Sequence, residues 1–161
     1  MSGRNDPAAP RPFGLLVLTH GGLAEELVGS LHTIVEGVHG VEAVSIGWDD
    51  DVEAATRNIE AAIGRLDSGA GVLVLTDMFG GTPTNLALAL HEEGRVEIVT
   101  GVNMPMLIKF STLGDGLTLE QAASRLAEQG REAIHVASQL LDTPESARTP
   151  ERPQGEDDAT P

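Results

Sequence analysis

The chain has 161 residues, room for one domain with a proper core and not comfortably for two. Its net charge is −15 with a sequence pI near 4.5, and Lys109 is its single lysine, so there is no basic patch to meet a run of phosphates and nucleic acid is not an expected partner. Cysteine is absent, which excludes disulfide staples, thiol nucleophiles and thiolate metal sites; Met1 to Pro12 has no apolar core of a signal peptide, and no apolar run approaches the roughly 18 residues of a membrane span, so the expected setting is the cytoplasm without direct membrane insertion.

Residues 1–12, with three prolines and no periodicity, read as a flexible leader. Phe13-Gly14-Leu15-Leu16-Val17-Leu18-Thr19-His20-Gly21-Gly22 follows, a nearly unbroken apolar run of the kind buried on both faces of a parallel sheet, ending in an imidazole and two glycines. Beyond it Leu23, Leu27, Leu31 and Ile34 recur at helical spacing, so His20 falls in the strand-to-helix turn. Val41 to Ile46 reads as a second strand ending at Gly47. The acids of Trp48-Asp49-Asp50-Asp51 favour the start of a helix running to about Leu66, with Val52, Ile59, Ala62, Ile63 and Leu66 on its inner face.

Val72 to Thr76 is a third strand, apolar like the first, and it too leads into a polar residue and glycines: Asp77-Met78-Phe79-Gly80-Gly81-Thr82-Pro83-Thr84-Asn85. Here Thr82 reads as a helix N-cap and Pro83 as the first helical residue. The helix from Leu86 to about His91 is apolar nearly all round, as expected of one covered on more than one side. Arg95 to Thr100 is a fourth strand, Met104 to about Thr112 a short helix, and Leu117 to about Leu141 a long helix started by Thr118 and interrupted by Gly130. From Asp142 to the end Pro, Glu, Asp, Thr and Arg replace the apolar pattern, the composition of a disordered acidic tail.

Alternating strands and helices predict an α/β fold: one domain over residues 13–141, with an open, flavodoxin-like, mainly parallel sheet ordered 2-1-3-4 and helices on both faces. In that order strands one and three are neighbours whose connections leave in opposite directions, and the crevice at their carboxyl ends is the expected binding site. His20 and Asp77 face each other across it. A neutral imidazole attacks phosphorus through one ring nitrogen when a carboxylate holds the other, so His20 and Asp77 are the candidate catalytic pair. Two helix starts, after Gly21-Gly22 and after Gly80-Gly81-Thr82, supply main-chain donors for a phosphoryl group; Thr19, Thr76 and above all Thr82 could add hydroxyls. Each piece alone also reads as an ordinary turn or loop residue. His32, His39, His91 and His135 pair at no metal-ligand spacing, so no metal is expected, and no Gly-rich nucleotide fingerprint occurs.

Three stretches carry a family resemblance: Val17-Leu18-Thr19-His20-Gly21 with Ala24-Glu25-Glu26-Leu27, then Leu75 through Asn85, then Thr100-Gly101-Val102-Asn103-Met104-Pro105-Met106-Leu107. Together they resemble the mannose-family EIIA domain of the bacterial phosphoenolpyruvate:sugar phosphotransferase system, over about Phe13 to Leu140. The resemblance implies that the histidine matching His20 accepts a phosphoryl group from phospho-HPr and passes it to an EIIB protein, and that the aspartate matching Asp77 orients it. It also implies a homodimer, which would account for the apolar surfaces of the third and last helices, and a reversible relay needing no metal or cofactor. No EIIB domain follows in this chain, so EIIB is expected as a separate protein or not at all. The related donor of dihydroxyacetone kinase lacks the Phe-Gly-Gly-Thr-Pro run, which places this chain outside that branch.

A phosphoryl carrier in sugar uptake is therefore the leading reading. The alternative is a regulatory protein of the same system that signals through protein binding according to its phosphorylation state, without a sugar permease. A flavin module is disfavoured because the loops lack rings to sandwich the cofactor.

Overall fold

Two central strands, each apolar along its whole length, decide the architecture: β1 (Gly14–His20) and β3 (Val72–Thr76) lie side by side and parallel, with Leu15 opposite Leu73 and Val17 opposite Leu75. The structure, a computed structural model, describes residues 13–141; the leader expected at 1–12 and the tail expected at 142–161 lie outside the described residues. β2 (Val41–Ile46) pairs with the other side of β1, and β4 (Val96–Thr100) with the other side of β3, giving a four-stranded parallel sheet ordered β2-β1-β3-β4. The order is the one expected from the alternation of elements.

Because strand side chains alternate, the two central strands feed two cores. Leu15, Val17, Leu73 and Leu75 pack on one face with α1 (Leu23–Ile34), α4 (Met104–Ser111) and α5 (Leu119–Glu132); Leu16, Leu18, Val72 and Val74 pack on the other with α2 (Val52–Leu66) and α3 (Gly81–Ala89). Right-handed crossovers require α1 on one face and α2 on the other, because the chain steps from β1 out to β2 and then reverses, passing back over β1 to β3. Each of the fully buried Leu and Val side chains contributes about 1.5–3 kcal/mol of transfer free energy. The last element, α6 (Ala137–Leu141), has no buried residue. Among the described residues no helix is long and apolar enough to cross a membrane.

Several local expectations are corrected. The buried stripe of α1 is Ala24, Val28 and Leu31, with Leu27 half-buried and Leu23 and Ile34 exposed, so the inner face is turned by about one residue from the expected one. Val52 is exposed at the first turn of α2, whereas Ile59, Ala62, Ile63 and Leu66 are buried as expected. Gly130 does not interrupt the last long helix. It lies buried inside α5, where a Cβ would sit 2.7 Å from Met106 Sδ, so glycine is what lets α5 and α4 approach. The chain leaves the helix at Ala133, and α6 starts afresh at Ala137.

Candidate functional site

β1 and β3 end at the same level of the sheet, and the residues that follow them define the site. His20 is the last residue of β1 and pairs in register with Ile46 of β2, while Asp77 is the first residue after β3. Divergent connections keep the crevice between them open to solvent. His20 Nδ1 lies 2.8 Å from Asp77 Oδ2, with the two side chains 23% and 16% exposed. The same Oδ2 accepts the His20 main-chain N–H at 3.1 Å, and Oδ1 accepts the Met78 N–H at 3.0 Å.

Burial pushes the Asp77 carboxyl up, but the hydrogen bonds from the His20 side chain and main chain, with the ring's charge, outweigh it and hold the group below the usual carboxylate range. An ionised carboxylate can only accept. Nδ1 therefore carries the proton, and in the neutral ring the free lone pair is on Nε2.

Nε2 is aimed at the start of α3. A Cβ built on Gly81 would fall 2.9 Å from Nε2 and 3.0 Å from Cε1, so only a residue without a side chain leaves space beside that nitrogen. Gly81 also has φ +83°, and Gly80 before it +91°, both in the region that favours glycine. These two residues move the helix start forward from the expected position: Gly80 is the N-cap, Thr82 is the second residue of α3, and Pro83 is buried in its first turn, where a missing N–H costs nothing. Thr82 is thus no cap, although it stays exposed at the helix start.

Capping separates the two helices at the site from the others. Asp51, Asn103 and Thr118 accept main-chain N–H groups at the starts of α2, α4 and α5, whereas Gly22 before α1 and Gly80 before α3 make no side-chain cap bond. The first-turn N–H groups of α1 and α3 are left as donors, and both helix dipoles favour an anion there. Gly21 and Gly22 are exposed beside His20; Gly21 (φ +54°) donates its N–H to the Ile46 carbonyl at 2.9 Å.

Thr19 and Thr76 are fully buried and do not line the crevice. The Thr19 hydroxyl bonds the His20 carbonyl at 3.3 Å. Thr76 and Thr84 lie 3.1 Å apart, and the Thr84 hydroxyl donates to the Met78 carbonyl at 2.5 Å, so two buried hydroxyls latch the loop that carries Asp77 and the glycines. In the sequence Thr84 has no feature that sets it apart from the other threonines of the loop; its role depends on the packing of α3 against β3.

Trp48, which the sequence places only in the loop before α2, joins the site. It follows β2 by two residues and stacks on the His20 ring, with centroids 5.7 Å apart. Phe79 is 77% exposed on the β3–α3 loop. Loops without aromatic rings were expected at this end of the sheet, and these two residues overturn that. Among the described residues no group of three or more His, Cys, Asp or Glu could hold a metal ion.

The sequence model of the EIIA-man family, described as "PTS system fructose IIA component", matches residues 14–127. The chain is 27% identical over 163 residues to the PTS system mannose-specific EIIAB component of Escherichia coli (strain K12), an alignment covering 91% of this chain and 49% of that protein. It therefore spans about half the length of that relative. Against the PTS system fructose-specific EIIA component of Bacillus subtilis (strain 168) it is 25% identical over 136 residues, covering 84% of this chain and 93% of the other. A solved structure, the mannose/sorbose specific IIA subunit of the phosphotransferase system from Enterococcus faecalis, superposes with a TM-score of 0.68 at 28% identity, over 82% of this chain and 96% of that one.

Proposed function

This chain belongs to the EIIA-man family, and from that premise we propose that it is a phosphoryl carrier that accepts a phosphoryl group from phospho-HPr on His20 and passes it to an EIIB protein in sugar uptake. The observation that carries the reading is the 2.8 Å contact of His20 Nδ1 with Asp77, which in the neutral ring leaves the free lone pair on Nε2, beside Gly81 at the start of α3. Nε2 is then the attacking atom and Asp77 the group that fixes the tautomer and offsets the charge that the ring gains. The N–H groups at the starts of α1 and α3, around Gly21, Gly22, Gly80, Gly81 and Thr82, are the proposed donors to the phosphoryl oxygens. One nitrogen–phosphorus bond replaces another at each step, so the relay is close to balanced and runs in both directions.

The related proteins are named for mannose and fructose. That variety fits a site whose groups act on the phosphoryl group and not on the sugar.

Incubation with phosphoenolpyruvate, enzyme I and HPr should give one acid-labile phosphoryl group per chain, absent from His20→Ala. A chain whose mass stays unchanged would remove the basis of the reading. Onward transfer is tested by adding an EIIB protein and following loss of the label.

A homodimer is part of the same proposal. It is supported by the β4 edge of the sheet and by exposed apolar side chains near it: Phe79 and Leu88 line a groove of about 560 Å³ together with Ile134, which is 76% exposed. Val136, Leu140 and Leu141 continue the exposed apolar run along the chain.

A further inference from the structure

Trp48 is the chain's single tryptophan and is 89% exposed, so it adds almost nothing to either core. Its ring nevertheless lies over the His20 imidazole, the planes inclined by 29°. The turn that presents it is tied down. Gly47 donates its N–H to Asp50 Oδ2 at 2.6 Å, and Asp51 accepts from Glu53 and Ala54 at the head of α2. Ile46, two residues earlier, is paired with His20 in the sheet, and its carbonyl accepts the Gly21 N–H. The stack is therefore set by strand register together with a hydrogen-bonded turn.

The imidazole is confined from three directions: Asp77 at Nδ1, Gly81 at the Nε2–Cε1 edge, and the indole on one face. A single hydrogen bond at Nδ1 fixes where that atom points but still permits the ring to rock about the bond. A flat ring laid on its face restrains the rocking.

Resting on the carrier reading above, we propose that Trp48 is a positioning residue for His20 that also stabilises the charge its ring acquires on phosphorylation. In the transfer step the Nε2 lone pair forms a bond to phosphorus while the donor's nitrogen–phosphorus bond breaks, its electron pair returning to the donor nitrogen. Nδ1 keeps its proton, so the His20 ring gains one positive charge. That charge lies between the Asp77 carboxylate at one edge and the indole π-face, which attracts cations. For an exposed cation–π pair the effect corresponds to roughly a two- to fivefold change in rate.

Two measurements on the full chain test this. The first is the emission of Trp48 across the imidazole titration, in the unsubstituted protein and in His20→Ala. Protonated imidazole in contact with indole quenches it, so a pH-dependent component lost in His20→Ala is expected. The loop acids Asp49, Asp50 and Asp51, and Glu25 and Glu26 of α1, remain in both proteins and cancel in the comparison; Asp77 loses its imidazole partner in His20→Ala, so the sweep is read above about pH 5, where a carboxylate is already ionised in both. Identical sweeps would overturn the stack. The second is the rate of phosphoryl uptake from phospho-HPr by Trp48→Leu and Trp48→Phe, with thermal melts alongside. Trp48→Leu should be slowed roughly two- to fivefold with its melt unchanged, and Trp48→Phe should recover most of the rate. Equal rates in Trp48→Leu and the unsubstituted chain would overturn the positioning role. Failure of the unsubstituted chain to take up any phosphoryl group would instead overturn the carrier reading, and the emission sweep, which needs no donor, would still decide the contact.

Discussion

Asp77 makes two contacts with one carboxylate oxygen: Oδ2 ties the last residue of β1 to the loop after β3 through a main-chain N–H, and it meets the imidazole at Nδ1. Asp77→Asn keeps the shape and removes the charge. A hydrogen bond to a charged partner is worth about 1.5–3 kcal/mol, so transfer to His20 in Asp77→Asn should fall by roughly ten- to a hundredfold, read as the rate of acid-labile label uptake. The same carboxylate gives a pH dependence of stability. Its folded value lies below the unfolded one, so the unfolded chain binds more protons in between and stability rises with pH there. The contribution is complete above about pH 4 and is lost as pH falls through the depressed value. Urea unfolding from pH 6 down to 3 should show the unsubstituted chain losing its advantage over Asp77→Asn only at the acid end. At Gly81 the constraint is space as well as backbone: Gly81→Ala should abolish phosphoryl uptake and cost about 1–2 kcal/mol from the left-handed backbone, measurable as a lowered denaturation midpoint.

At the scale of elements, glycines mark where layers come closest, and their neighbours decide how much a methyl group costs. A Cβ on Gly14 would sit 2.6 Å from Leu66 Cβ and 2.7 Å from the Leu66 carbonyl oxygen, atoms of the α2 terminus that cannot step aside. On Gly130 the obstacle is the Met106 thioether, the flexible end of a side chain, and alanine is the better helix former by about 1 kcal/mol. Gly14→Ala should therefore destabilise by about 3 kcal/mol and Gly130→Ala by about 1 kcal/mol or less, a ranking that thermal melts would reverse if the layers were loosely packed. The expectation that Gly130 breaks a helix took its low propensity at face value, whereas burial against α4 is what selects it. Thr118, by contrast, was legible as a start signal, and the full capping box with Gln121 is formed.

For the whole molecule, the β4 side of the sheet carries the exposed apolar side chains on which the proposed dimer rests. With Ile134 exposed beside the groove formed by Phe79, Leu88 and α5, the proposed homodimer predicts that Ile134→Glu shifts sedimentation equilibrium toward monomer while leaving the circular dichroism spectrum unchanged. An unsubstituted chain that sediments as a monomer at high concentration would remove the dimer from the proposal. Interface edges are hard to read in a sequence, because an apolar residue bound for a partner has the same signature as one bound for the chain's own core.

Strand order, the two-faced core and the meeting of His20 with Asp77 followed from the sequence, because two wholly apolar strands and the parity of their connections allow few arrangements. The helix face of α1, the true start of α3, the buried latch of Thr76 and Thr84 and the stack of Trp48 did not follow. Each depends on distances between segments far apart in the chain, or on glycine dihedrals that the residue permits without requiring. Periodicity encodes which side of an element is buried and topology encodes which ends meet; how closely two backbones approach, and which ring then lies on which, is settled only when the layers pack.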